Sequence, residues 1–405
     1  MESIWEKLSK PLPSSRDAEP EPVVTPALRE SLTALLDRYE FEYLAEGRAN
    51  VVFSIRDTAE ADLGGTGTGA GTGAPAPPSP PPVGQFRGTL LRVPKTTPGV
   101  TPCDYATLQR FHEEAVERRV GREHVVPQIL VSISQGLADR LDAGLRRDST
   151  RSGGHDHDDD HEKETITATA AVIHPGPAML VQDMGPSEAY PLALEFKPKW
   201  LAQSPLAPPG ATRCRSCARE ALRNAQKITA AASAAAGTPP PPPPVCRLGL
   251  IHDDPAIFRA TVDEIVAPWA VAERWSEHDR ARLAAGLRAS GVLERIRDLQ
   301  VSGDPAPGKA LFEGPSDPDF GLAMTLRDCS CFVRMTATTA AAAAGDDHHD
   351  GAGVVVKLAD VDKKNWHEKQ TYWQTSHRNL VKGGWYEGKE DPPMETHCLL
   401  GQLGV

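Results

Sequence analysis

The chain has 405 residues, 55 acidic against 44 basic side chains, a net charge of -11, and hydrophobic and aromatic shares of 40% and 5%. That acidity argues against general nucleic-acid binding, which needs a domain-wide basic excess, but it leaves room for a local basic site. No run approaches the roughly 18 apolar residues of a membrane span, Met1-Glu2-Ser3 opens no secretory pattern, and an odd set of seven cysteines fits a reducing compartment.

The length suits two or three globular units, yet four stretches lack the apolar surface to offset their ordering entropy. Residues 61–84 are Gly/Thr-rich and then Pro-rich, and 145–165 are Asp/His-rich. Residues 230–244 run from alanines into six prolines, and 336–353 from Thr/Ala into Asp/His. They are expected to be disordered insertions. The remainder suffices for one bilobal domain.

After a Pro-rich leader, Ala27 to Tyr39 is predicted to be helical, followed by strands Phe41–Leu44 and Val51–Ile55 around the turn Glu46-Gly47-Arg48-Ala49-Asn50. Such a turn can lay backbone N–H groups over a triphosphate or be an ordinary hairpin. Thr89 to Lys95 reads as a strand carrying Arg92 among apolar neighbours. A helix from Asp104 to Val120 follows, with Leu108, Phe111 and Ala115 on one stripe and Gly121 as its stop. Ala178 to Gln182 is a further buried strand, and Asp183-Met184-Gly185-Pro186 is a break at which two lobes could join.

In Leu192 to Lys199, Leu192, Leu194 and Phe196 face one way, Glu195 and Lys197 the other, and Pro198 ends the ladder. The next helix carries a ridge of Arg215, Arg219, Arg223 and Lys227 beside an apolar stripe of Cys214, Cys217, Ala221, Ala225 and Ile228. Like charges at that spacing repel, so the ridge suits either a solvated face or bound anions. Asp254-Pro255 and Ser276 start later helices. Two alternating strands end in carboxylates: Leu322, Met324 and Leu326 lead to Asp328, and Val354, Val356 and Leu358 lead to Asp360. Carboxylates just beyond apolar strands suit proton acceptance and Mg²⁺ ligation, although a carboxylate at a strand end is more often a turn or cap residue than a catalyst.

In order, these pieces resemble the inositol-pentakisphosphate 2-kinase family. They are Glu46 to Asn50, Leu91 to Lys95, Glu195-Phe196-Lys197-Pro198-Lys199, Arg213 with its helix, Arg327-Asp328-Cys329-Ser330, and Asp360-Val361-Asp362-Lys363-Lys364. The chain departs from the family pattern at Phe196, at Arg327, in Trp200 to Pro205, and at Asp183-Met184, where an Asp-His pair is expected.

The resemblance implies an α+β, two-lobed kinase-like fold. Residues 1–184 would form a nucleotide-binding lobe, and 185–405 an enlarged inositide-binding and catalytic lobe. It implies ATP- and Mg²⁺-dependent phosphorylation of the 2-hydroxyl of inositol pentakisphosphate. Gly47, Arg48, Asn50 and Arg92 would hold the nucleotide. Asp328 and Lys197 would be catalytic, and Lys199, Arg213, Lys364 and Tyr372 would bind the substrate. Asp360, Asp328 and Asp362 would hold metal. A monomer in the nucleus or cytoplasm, without nucleic-acid or membrane partners, is expected. The alternatives are an inactive inositol-polyphosphate scaffold or sensor, and a phosphotransferase for an uncharged or cationic alcohol, which the basic helix opposes.

Three other features are open to a second reading. Cys214 and Cys217 could form half of a zinc site with Cys246 and a histidine, but their place on the apolar stripe favours small hydrophobes. His155, His157 and His161 sit among aspartates as a solvated loop. The six prolines suit a stiff spacer or a polyproline ligand.

Overall fold

A computed structural model describes residues 3–8, 24–47, 50–56, 84–96, 104–149, 172–234, 241–272, 275–304, 318–337, 353–364 and 366–402. The fold is mixed α+β, and it divides into two compact units, residues 1–110 with 127–183 and residues 111–126 with 184–405. No described helix is long and apolar enough to cross a membrane.

The first unit is built on an antiparallel sheet ordered β1-β2-β3-β6-β4: β1 (Glu40–Glu46), β2 (Asn50–Arg56), β3 (Thr89–Thr96), β4 (Gln128–Ile133) and β6 (Gly176–Gln182), with β5 (Val172–Ile173) on β3. Period-two alternation buries Val51, Phe53, Leu91, Val93, Ile129 and Val131 on one face. There they meet Leu32 and Leu36 of α2 (Pro26–Leu36) and Leu137 and Leu141 of α5 (Gln135–Ser149); α1 (Ile4–Leu8) adds Ile4 and Trp5. Thr25 caps α2 through its hydroxyl, with Pro26 in the first turn. Helix α5 continues through Ser149 and buries Leu145, so the first residues of the expected 145–165 insertion are helical.

The helix expected from Asp104 to Val120 is interrupted. It runs as α3 (Tyr105–Phe111), a π-helical turn (His112–Val116) and α4 (Glu117–Val120), ending at Gly121 with φ 104. The wider π turn shifts the register, so that Val116 and Val120 are buried where Ala115 was expected on the stripe.

In the second unit, three antiparallel strands, β7 (Leu192–Phe196), β8 (Ser330–Met335) and β9 (Val354–Ala359), form a sheet ordered β7-β8-β9. Leu194, Phe196, Val333, Val356 and Leu358 pack there with side chains of α7 (Pro255–Ala272), α8 (Glu277–Ala289), α9 (Val292–Ser302) and α10 (Pro318–Leu326). Ser276 and Asp279 complete a capping box on α8, and Gly291 (φ 64) turns the chain into α9.

Two expectations are corrected here. The stretch with Leu322, Met324 and Leu326 is helix α10, not a strand. Every residue from Leu322 to Leu326 is buried, so its apparent alternation carried no information about which side faces the core. Helix α6 (Arg215–Ala234) runs into the expected 230–244 insertion, and Asn224 donates to the Pro242 carbonyl at 3.1 Å. The remaining insertion residues, 61–83, 150–165, 235–240 and 338–352, lie outside the described residues.

Candidate active site

Strand register gathers the site. Because β8 is central and antiparallel to both neighbours, its start lies beside their ends: Phe196 pairs with Cys331, and Ser330 with Ala359. Lys197, Asp328 and Asp360, each within two residues of these pairs, therefore leave the sheet at one edge. Lys197 Nζ stands 3.9 Å from Asp328 Oδ1 and 3.6 Å from Asp360 Oδ2. Lys199 Nζ is 3.7 Å from Asp328 Oδ1, and Lys364 Nζ donates to Asp328 Oδ2 at 2.8 Å.

The backbone here is strained. Among the described non-glycine residues, positive φ occurs at Lys199 (φ 58) and Asp360 (φ 53), a conformation costing about 1–3 kcal/mol that its surroundings must hold in place. The holding group behind Lys199 is Gln300 of α9, which is fully buried. Its amide donates to the carbonyls of Lys199 at 2.9 Å and Leu326 at 3.2 Å, while its oxygen accepts from the Leu201 N–H at 2.9 Å. One side chain thus ties the β7 exit to the turn carrying Asp328. Beyond Asp360, the Thr325 hydroxyl donates to the Asp362 carbonyl at 3.0 Å.

Electrostatics follow from this crowding. Burial alone would raise the Asp328 carboxyl, but Lys364, Lys197 and Lys199 outweigh it and hold the group down at about 2. Burial also lowers Lys199; the Asp328 charge opposes this, while Lys197 and Arg219 reinforce it. Lys364 would be lowered by burial, but Asp360, Asp328 and Asp362 push it up. The carboxylates fit a hard divalent cation, and Lys197 shows that one cation can serve Asp328 and Asp360 together.

Helix α6 adds a second tier. Arg219 donates to Ser376 Oγ at 2.8 Å and Tyr372 Oη at 2.7 Å, both on α11 (Trp366–Lys382), and Lys369 Nζ lies 5.9 Å from the Tyr372 ring centroid. The rest of the ridge behaves differently. Arg215 is buried, its guanidinium 4.7 Å from the Trp200 ring centroid, and it donates to Tyr386 Oη at 3.3 Å; Arg223 pairs with Glu220 at 2.6 Å. On the expected apolar stripe Ile228 is exposed, whereas Ala218 is buried.

In the first unit, Gly47 N–H donates to the Asn50 carbonyl at 2.9 Å, closing the β1–β2 hairpin. Asn50 Oδ1 accepts from Tyr105 Oη at 2.6 Å, and the Arg92 guanidinium lies 5.6 Å from the Tyr105 ring centroid. Arg92 is opposite Val52 on the face turned away from Leu91 and Val93. Arg48 lies outside the described residues.

A profile of the family described as Inositol-pentakisphosphate 2-kinase matches residues 43–379. The chain belongs to that family. It is also 30% identical, over 209 residues, to the Inositol-pentakisphosphate 2-kinase of Yarrowia lipolytica; the match spans 51% of this chain and 56% of the relative.

Of the residues expected to serve this family member, Lys197, Lys199, Asp328, Asp360 and Lys364 come together. Asp362 lies close enough for its charge to act on Lys364, and Tyr372 engages Arg219. Arg213 is committed elsewhere. It is buried, and its guanidinium donates to Glu390 Oε1 at 2.7 Å, Thr396 Oγ1 at 2.9 Å and the carbonyls of Trp385 and Met394. Its role in the fold is as an anchor for the C-terminal segment. Sequence reading missed Gln300 and Tyr105. Gln300 falls four residues after Ile296 on the buried stripe of α9, and a polar side chain at a core position was the available signal.

Proposed function

We propose that this chain transfers the γ-phosphate of ATP to the 2-hydroxyl of inositol 1,3,4,5,6-pentakisphosphate, giving inositol hexakisphosphate. The observation that carries this reading is the convergence of Lys197, Lys199 and Lys364 on Asp328, beside Asp360, in a member of this family. Five phosphate monoesters bring roughly -8 to -10 charges into a site. Three lysines, with Arg219 and Lys369 nearby, are the kind of compensation such a ligand needs.

Asp328 takes the proton of the attacking hydroxyl, whose oxygen bonds to the γ-phosphorus as ADP leaves. With three ammonium groups around it, Asp328 is a weak base in the ligand-free state. Substrate phosphates compete for those lysines, and as they are drawn away the burial that already acts on Asp328 raises its affinity for a proton. Asp328, Asp360 and Asp362 would hold Mg²⁺, which would supply charge neutralisation on the transferred phosphoryl group. In the first unit, Gly47, Asn50 and Arg92 contact the nucleotide, with Tyr105 fixing Asn50.

The test is incubation with ATP, Mg²⁺ and a panel of inositol phosphates, with products separated by phosphate number. The pentakisphosphate with a free 2-hydroxyl should be consumed fastest. A preference for a poorly phosphorylated or uncharged alcohol would refute the reading.

A further inference from the structure

Besides the lysine and aspartate site, four cysteines from three separate stretches of the chain meet. The Sγ atoms of Cys214, Cys217, Cys246 and Cys398 all lie within 4.8 Å of one another, with Cys214 to Cys246 and Cys246 to Cys398 each at 4.0 Å. Three of the residues are buried and the fourth is half-buried. We propose that these four thiolates bind one zinc ion, which locks the start of α6 to the C-terminal segment.

Zn–S bonds of about 2.3 Å in a tetrahedron place sulfurs about 3.8 Å apart, so the observed spacing needs little adjustment. A disulfide is a poorer description, because its sulfurs sit about 2.05 Å apart. A purely apolar cluster is poorer too, since it has no reason to turn all four sulfurs onto one point. Backbone amides are aimed at the sulfurs: Cys214 N–H donates to Cys398 Sγ at 3.1 Å, Cys217 N–H to Cys214 Sγ at 3.4 Å, and Leu399 N–H to Cys246 Sγ at 3.4 Å. N–H groups so placed favour thiolate over thiol and orient metal ligands from behind.

Charge around the cluster agrees. Four thiolates on a divalent ion leave two negative charges, and the start of α6 presents the positive end of its dipole to Cys214 and Cys217. Next to Cys246, the Arg247 guanidinium has its Nη1 buried with no hydrogen-bond partner. A buried cation at this position suits a neighbouring centre that carries net negative charge. All-sulfur tetrahedral donors select zinc or iron over magnesium or calcium.

The consequence is a staple between remote segments. Cys398 is 184 residues from Cys214 and 152 from Cys246. The same C-terminal stretch cages Arg213, next to Cys214, through Glu390, Met394 and Thr396. Metal binding would release the thiol protons and add its free energy to folding, holding the helix that carries Arg219.

Metal analysis of the full chain, purified under reducing conditions without chelator, should find close to one equivalent of zinc. A mercurial thiol reagent should release it stoichiometrically. The Co²⁺-substituted protein should show the intense thiolate charge-transfer and tetrahedral ligand-field bands of a four-sulfur site. Cys398→Ser should lower metal content and Tm together, whereas Cys331→Ala, a buried cysteine outside the cluster, should keep the metal. No metal, iron in place of zinc, a disulfide detected by mass, or full zinc retention in C398S would each overturn the proposal. Should C398S fail to fold, the metal content and Co²⁺ spectrum of the unaltered chain still decide.

Discussion

Two basic groups of the second unit carry the same kind of charge and are held in opposite ways. The Arg213 guanidinium is enclosed by Glu390, a threonine hydroxyl and two backbone carbonyls, and both partners of its ion pair are buried, at 8% and 3% exposure. Around Asp328 and Asp360 the side chains are partly exposed; Lys364 donates to Asp328 at 2.8 Å, but Lys197 and Lys199 hold the carboxylates at 3.6 to 3.9 Å, beyond hydrogen-bond length. Directional bonds in a buried cage fix a backbone. Loose ionic contacts at an accessible edge can be exchanged for those of an incoming anion. Charge type alone does not separate the two roles; the geometry of the partners does.

The comparison breaks most visibly at its acidic centre. Asp328→Asn should lower turnover by about 10²- to 10⁴-fold, the usual worth of a positioned base, and leave inositide affinity within a few-fold by calorimetry. Normal turnover would remove the base assignment. Arg213→Met should behave in the reverse sense. It leaves the Glu390 carboxylate buried and unpaired, so urea unfolding should show a loss of about 3–5 kcal/mol with the Michaelis constant of the folded fraction unchanged. A large rise in that constant without loss of stability would return Arg213 to the substrate.

Lys199→Ala sharpens the contrast from the other side. Losing one charge-assisted bond of about 1.5–3 kcal/mol should weaken inositide binding about 10- to 150-fold, more strongly at low salt. An affinity independent of salt would argue against phosphate contact. Gln300→Leu removes partners from the Lys199, Leu201 and Leu326 backbones, each buried group costing about 1–3 kcal/mol. It should lower stability and also raise the inositide Michaelis constant, because the Lys199 backbone loses its support; a stability loss with unchanged kinetics would make Gln300 a core residue only.

The local patterns that survived folding were those in which one side of an element faces a core. Alternation in Leu192 to Phe196 and Val354 to Leu358 set two strands correctly, and their ends placed Lys197 and Asp360. Where every side chain is buried, as in α10, periodicity has nothing to report, and the strand expected there is a helix. The meeting of Lys197, Lys199 and Asp328 was readable because two short motifs, Glu195 to Lys199 and Arg327 to Ser330, each kept their residue types together. Arg213 was not, since a basic residue preceding a basic helix gives no hint that Glu390, 177 residues on, will enclose it. Cys398 is the same kind of case: its partners at 214, 217 and 246 are joined to it only by tertiary structure.

The smallest expected effect is a pH dependence of stability, and it isolates the three-lysine clasp. The Asp328 carboxyl stands at about 2 in the fold against 3.8 unperturbed, so the unfolded chain takes up this proton first as pH falls. Stability from the clasp is therefore fully present above about pH 4, declines below that, and is lost once pH falls through the folded value of about 2. Asp328→Asn has no proton to take up there. The difference between the urea midpoints of the native protein and this variant should then narrow steadily between about pH 4 and pH 2. Parallel curves for the two proteins over that range would mean that the lysines do not hold Asp328 as an anion, and the contrast between an exchangeable clasp and a fixed cage would lose its electrostatic basis.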